Sequence, residues 1–132
     1  MLPEWFGIES AILDYEREIA LLPTFLAEYE GQVQGFLCLK KHNPFSAEIL
    51  VMAVHPQVHR SGIGRTLVTA AETYSCAQGF EYLQVKTLGP SNPDQGYAKT
   101  RQFYQALGYR PLEEFMKIWD ENNPCLVMVK RL

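Results

Sequence analysis

The residues best suited to chemistry lie together in positions 59–66, His-Arg-Ser-Gly-Ile-Gly-Arg-Thr. The opening amides of a helix have no partner within it, and together they carry about half a positive charge. Small residues at that point let an anion approach the backbone directly. Ser61, Gly62, Ile63 and Gly64 offer such amides, Arg60 and Arg65 flank them, and no acidic side chain follows until Glu72. The chemistry this pattern serves is the seating of a phosphate. A glycine-assisted turn is the plain alternative, and the loop alone does not decide between them. Two phosphate templates are excluded: the loop is not G-x-x-x-x-G-K-(S/T), and it lacks the third glycine of G-x-G-x-x-G.

Other reactive side chains form no such group. His42, His55 and His59 lack H-E-x-x-H spacing, and Cys38, Cys76 and Cys125 offer no C-x-x-C, so neither a metal nor a Cys–His pair is expected. The cysteines are odd in number, far apart and set in apolar surroundings, which reads as small buried hydrophobes of a reducing compartment. Arg60, Arg65 and Lys86 read as a cluster at the phosphate end. Lys99, Arg101 and Lys130 read as a solvated face.

These residues need elements to hold them. Ile8, Ile12, Tyr15, Ile19 and Leu22 recur at helical spacing, which predicts a helix over 8–21 stopped by Pro23. Strand-like runs over 24–29 and 33–40 flank a Glu-Gly-Gln turn, and a third strand, 47–54, follows His42-Asn43-Pro44. Beyond the glycine loop, an apolar stripe of Ile63, Leu67, Val68, Ala71, Tyr74 and Ser75 predicts a helix ending at Gly79. A strand over 82–87, the polar loop "GPSNPDQG", a helix over 97–107 closed by Gly108, and strands over 112–117 and 126–130 complete the chain. Hairpin strands mixed with strand–helix–strand crossovers imply an α/β (α+β) domain with a mixed sheet flanked by helices. Ligands of such sheets sit where loops leave the carboxyl ends of neighbouring strands, and the glycine loop leaves one such end.

Bulk properties narrow the partners. A chain of 132 residues with 47% hydrophobic content is expected to form one domain, 1–132. A net charge of −3 argues against nucleic acid. The first ten residues have no basic n-region, and the longest apolar run, 49–54, is too short to span a bilayer. A soluble, cytoplasmic protein with no membrane partner is the expectation.

The stretch 59–64 resembles the (Q/R)-x-x-G-x-(G/A) signature of the GNAT superfamily of N-acetyltransferases, placed after a strand ending "AVHP" and before a long helix. Downstream, "YAKTRQFYQALGY" (97–109) is similar to the family's second motif, with Tyr104, Gly108 and Tyr109 at matching spacing. The resemblance covers residue 26 to the C-terminus and implies an acetyl-CoA-dependent N-acetyltransferase. Its co-substrate would be acetyl-CoA with no metal, and its acceptor a small-molecule or peptide amine. It implies that His59, Arg60, Ser61, Gly62, Ile63, Gly64, Arg65 and Thr66 hold the pyrophosphate, and that the backbone of Met52, Ala53 and Val54 pairs with the pantetheine arm. "AEILVMAV" (47–54) resembles the strand that carries the general-base glutamate in the histone-acetylating branch, which makes Glu48 the base; Glu28 is a weaker alternative. The tyrosine matching Tyr104 often reaches the thioester sulfur, which makes Tyr104 the proton donor.

Three departures stand out: His59 replaces Gln or Arg, Tyr97 and Thr100 replace the usual Asn and Ala, and the chain begins late in the family's pattern. The last implies a GNAT-like, mostly antiparallel sheet that lacks the usual first strand and part of the first helix, or borrows a strand from a partner. A homodimer is therefore among the partners the resemblance leaves open. A non-catalytic acyl-CoA-binding or regulatory module of the same fold is the alternative to an enzyme, and a pure interaction domain is the third reading.

Overall fold

The computed structural model describes residues 21–55, 62–120 and 123–132. His59, Arg60 and Ser61, the helix expected before residue 21, and the question of a first strand all lie outside the described residues. Among the described residues six strands form one sheet: β1 (Leu21–Tyr29), β2 (Gln32–Asn43), β3 (Ser46–Val54), β4 (Tyr82–Leu88), β5 (Arg110–Asp120) and β6 (Asn123–Arg131), in the order β1-β2-β3-β4-β6-β5. Every neighbouring pair is antiparallel except β3 and β4. Two helices complete the described chain: α1 (Ile63–Ala77), in the crossover between the parallel strands, and α2 (Gln95–Ala106).

The sequence expectation places Leu21 in a helix ended by Pro23, but Leu21 opens β1, which runs through the proline. The ladder to β2 slips between Leu21 and Thr24. A strand at the end of a sheet with a bulge is where proline's missing N–H is tolerated. The helix ends match the expectation: Gly79 and Gly108 take φ of 89° and 99° just past α1 and α2. Asp94 caps α2 by accepting a hydrogen bond from the Tyr97 N–H at 3.1 Å.

One face of the sheet packs on the helices. Leu37 and Leu39 of β2, Ala47 and Ile49 of β3, Leu83 and Val85 of β4, and Leu126 and Met128 of β6 join Leu67, Val68 and Ala71 of α1 and Tyr104 of α2 in a single core. The alternation assigns Phe36, Cys38, Glu48, Cys125 and Val127, also buried, to the opposite face. Leu50 is the extra residue of a bulge on β3, where Cys38 pairs with Val51 and Leu39 with Ile49. The bulge resets the alternation, so Met52 and Val54 pack toward the helical core in step with Ala47 and Ile49.

The fold turns this sheet into a site by splitting it. The parallel pairing of β3 with β4 runs from Ser46–Tyr82 to Ile49–Val85 and stops, while β3 continues to Val54 and β4 to Leu88. Past Ile49 the two strands diverge.

Candidate active site

The opening between β3 and β4 contains a cleft of about 660 Å³. Its walls come from Leu50, Val51 and Met52 of β3, Lys86 and Thr87 of β4, Tyr97, Thr100 and Tyr104 of α2, and Trp119 and Asn123 of the β5–β6 hairpin. Tyr104 belongs to the helical face and Lys86 to the other face of β4, so the opening passes from one side of the sheet to the other. A second cleft, of about 970 Å³, lies between the start of α1 and the length of α2, with Gly62, Gly64, Arg65, Lys99 and Phe103 in its walls. Met52, Thr100 and Tyr104 line both. The two clefts therefore form one path, from a helix N-terminus into the gap in the sheet.

The helix end has the character an anion needs. Gly62 caps α1 with φ 88° and ψ 1°, and no acidic residue occupies the first turn. The first intrahelical bond is donated by the Thr66 N–H to the Gly62 carbonyl at 2.9 Å, so the amides of Ile63, Gly64 and Arg65 precede the ladder. The Thr66 hydroxyl donates to the same carbonyl at 2.9 Å. The two glycines have different reasons. Gly62 sits in the left-handed region that L side chains rarely adopt. At Gly64 a Cβ would lie 3.2 Å from Phe103 Cζ, so its missing side chain lets α2 approach α1.

Glu48 is buried at 2% exposure rather than pointing into solvent. Its Oε1 accepts a bond from Lys86 Nζ at 3.1 Å and stands 2.6 Å from His42 Nε2, a distance at which an imidazole N–H donates. Two such partners offset the cost of removing a carboxylate from water. Glu48 itself does not line the cleft; Lys86 does, and stands between the carboxylate and the opening.

Lys86 is thus a correction: it belongs to the carboxylate, not to a phosphate cluster with Arg65. His42 is the residue sequence reasoning missed as a partner of Glu48. It is the extra residue of a bulge between the Lys41–Ala47 and Asn43–Ser46 pairs, and bulges re-aim side chains. Trp119 and Asn123 were missed as well. They reach the cleft because β5 and β6 each extend past the expected strand ends, to Asp120 and back to Asn123.

Tyr104 is 4% exposed, packed edge-on against Phe103 and Tyr109 at 5.1 and 5.7 Å between ring centroids. Burial pushes its phenol above the ordinary value of 10.0, which keeps the O–H protonated throughout the neutral range. Tyr104 is thus a core aromatic and also a wall of both clefts. Glu28 is exposed on β1, whose ladder partner is β2.

Two other expectations need correcting. Arg101 and Lys130 do more than solvate a surface: Arg101 Nη1 donates to the Leu88 carbonyl at 2.7 Å, and Lys130 Nζ donates to Glu72 at 3.0 Å and to the Leu107 carbonyl at 2.8 Å. Cys38 and Cys125 are buried, but Cys76 is exposed. Burial, reinforced by Glu48 and opposed by Lys86, raises the Cys125 thiol, so it is not a ready nucleophile. Among the described residues no three His, Cys, Asp or Glu side chains gather where a metal could sit, and no helix is long and apolar enough to cross a membrane.

Residues 22–111 match the profile of the acetyltransferase (GNAT) domain. An uncharacterized N-acetyltransferase of Chlorobaculum tepidum is 31% identical over 104 residues, covering 76% of this chain and 60% of the relative. The chain thus spans less than two thirds of that protein's length. Among solved structures, Ard1 of Thermoplasma volcanium superposes with a TM-score of 0.78 at 21% identity, over 94% of this chain and 79% of its own. A GNAT family acetyltransferase of Elizabethkingia anophelis, solved with acetyl-CoA bound, superposes with a TM-score of 0.76 at 19% identity, over 94% and 83%. At those identities the likeness is one of fold.

Proposed function

Because the chain belongs to the acetyltransferase (GNAT) domain family, we propose that it transfers the acetyl group of acetyl-CoA to a primary amine of a small molecule or peptide, by direct attack of the amine on the thioester. The observation that carries this reading is the single path from the α1 N-terminus, through the gap between β3 and β4, to the Glu48–Lys86 pair. The residues present fit the co-substrate, one that a structural neighbour also holds. Amides at the start of α1, with Arg65 and Lys99 lining the same cleft, suit the pyrophosphate. The stretch of β3 beyond Ile49 has lost its β4 partner and suits the amide-bearing pantetheine arm.

Each chain residue then has a task. A primary ammonium ordinarily loses its proton near pH 10.4, so neutralising it at neutral pH costs roughly 4 kcal/mol, and a placed carboxylate relieves part of that. The acceptor enters from the face that carries Lys86, and its amine takes the place on Glu48 Oε1 that Lys86 Nζ holds. A β3 amide near Met52 polarises the thioester carbonyl. Tyr104, kept protonated by burial and lining both clefts, supplies the proton that the leaving thiolate needs.

One observation favours a non-catalytic acyl-CoA-binding module instead, namely that Lys86 and His42 already occupy the carboxylate. Steady-state CoA release against a panel of primary amines separates the two readings. Turnover that falls about 100-fold in Glu48→Gln supports the enzyme. Turnover unchanged in Glu48→Gln removes Glu48 from the mechanism.

A further inference from the structure

Lys86 carries a primary amine of the kind a transferase of this class acylates, and the fold holds that amine against the proposed base. Its Nζ donates to Glu48 Oε1 at 3.1 Å. The side chain is about a quarter exposed, whereas the carboxylate side chain is 3% exposed. Lys86 lines the cleft between β3 and β4 together with Met52 and Tyr104, and Glu48 does not. It follows Val85, the last β4 residue paired to β3, so it sits at the point where the strands part. The amine that Glu48 can deprotonate, as the chain stands, is the chain's own.

We propose that Lys86 is a self-acetylation site: in the presence of acetyl-CoA its amine accepts the acetyl group within the same molecule. The proposal rests on the reading of the β3–β4 opening as the thioester site. The step balances without an oxidant or further reactant. Glu48 takes one proton from the Lys86 ammonium. The freed lone pair forms a C–N bond to the acetyl carbonyl carbon, and the C–S bond breaks. The nitrogen sheds its second proton, and the departing sulfur takes one up, giving an amide and free CoA with one proton released overall. That proton has an exit when the His42 ring carries its hydrogen on Nδ1: Nε2, 2.6 Å from the same Glu48 oxygen, then accepts it, and the His42 side chain is about a quarter exposed. The product is a neutral amide, so the ion pair with Glu48 is lost and the carboxylate is released from one of its two partners.

The test is a time course of the purified chain with acetyl-CoA alone, read by peptide mass spectrometry at every lysine, with acetyl-CoA binding followed separately by thermal shift. Lys86 is expected to gain one acetyl group at least about tenfold faster than the exposed Lys41, Lys99 and Lys117. Its first-order rate should not change with protein concentration. Glu48→Gln, which keeps shape and removes charge, should slow labelling at Lys86 about 100-fold while acetyl-CoA still shifts the melting temperature. Lys86→Arg should leave no fast site. Labelling of Lys86 no faster than the exposed lysines, in a chain that binds acetyl-CoA, overturns the proposal and leaves the transferase reading standing. A rate that rises with protein concentration overturns it too, by showing transfer between molecules. No acetyl-CoA binding at all overturns both.

Discussion

At the scale of single residues, burial sets the chemistry. Tyr104 is held protonated by its apolar surroundings, which suits a donor that must stay loaded until the thiolate forms. Tyr104→Phe keeps the ring and removes the O–H. It should lower kcat about 100-fold while the KM for acetyl-CoA changes by less than about threefold, measured by steady-state CoA release. Two buried phenols also set a pH limit on the fold. Burial raises Tyr104 and Tyr109, the latter also through Glu72, whose carboxylate accepts from the Tyr109 O–H at 2.9 Å. Raised in the folded state, these groups contribute stability that is complete below the unfolded value of 10.0 and is lost as pH climbs past it. Denaturant unfolding should weaken above pH 10 by up to about 1.4 kcal/mol per pH unit for each phenol, and the slope should flatten in Tyr109→Phe. An equal slope in that variant would count against the burial account.

At the scale of elements, glycines decide where the helices sit. A Cβ on Gly35 of β2 would meet the Ala53 carbonyl oxygen at 3.1 Å and Ile63 and Leu67 side-chain carbons at 3.2 Å. Gly35→Ala should therefore push α1 off the sheet and lower stability by about 1–3 kcal/mol in denaturant melts. Gly62→Asp tests the loop differently. Asp is among the few side chains that tolerate the left-handed region, and it suits a helix N-terminus, so the fold should survive. Its charge opposes a pyrophosphate, and acetyl-CoA affinity by calorimetry should fall at least about tenfold. Much of this scale was legible in the sequence. The stripe from Leu67 to Ser75, the glycine stops and the succession of strands and helices along the chain all express periodicity and backbone preference, which are local. The partners of Glu48 were not legible, because a bulge at His42 and a divergence after Ile49 are properties of pairing, and no single strand encodes its register. Lys86 was assigned to the phosphates by charge alone, and only the sheet order puts it beside Glu48.

At the scale of the whole molecule, the face of the sheet that packs on α1 and α2 holds the end of the path at the α1 N-terminus, while the opposite face carries the Glu48 carboxylate. Lys130 ties the two helices to β6, bonding Glu72 of α1 and the Leu107 carbonyl just past α2. Lys130→Met should cost about 1–3 kcal/mol of stability by leaving Glu72 and that carbonyl short of a donor. The central claim is that the opening between β3 and β4 is where acetyl leaves acetyl-CoA for an amine. The most direct measurement is CoA release by the wild-type chain across a panel of primary amines, run beside Tyr104→Phe and Glu48→Gln. The account predicts multiple turnovers with at least one amine, reduced about 100-fold in each variant with acetyl-CoA binding retained. Acetyl-CoA bound tightly with no catalytic turnover on any amine would contradict it, as would turnover indifferent to both substitutions.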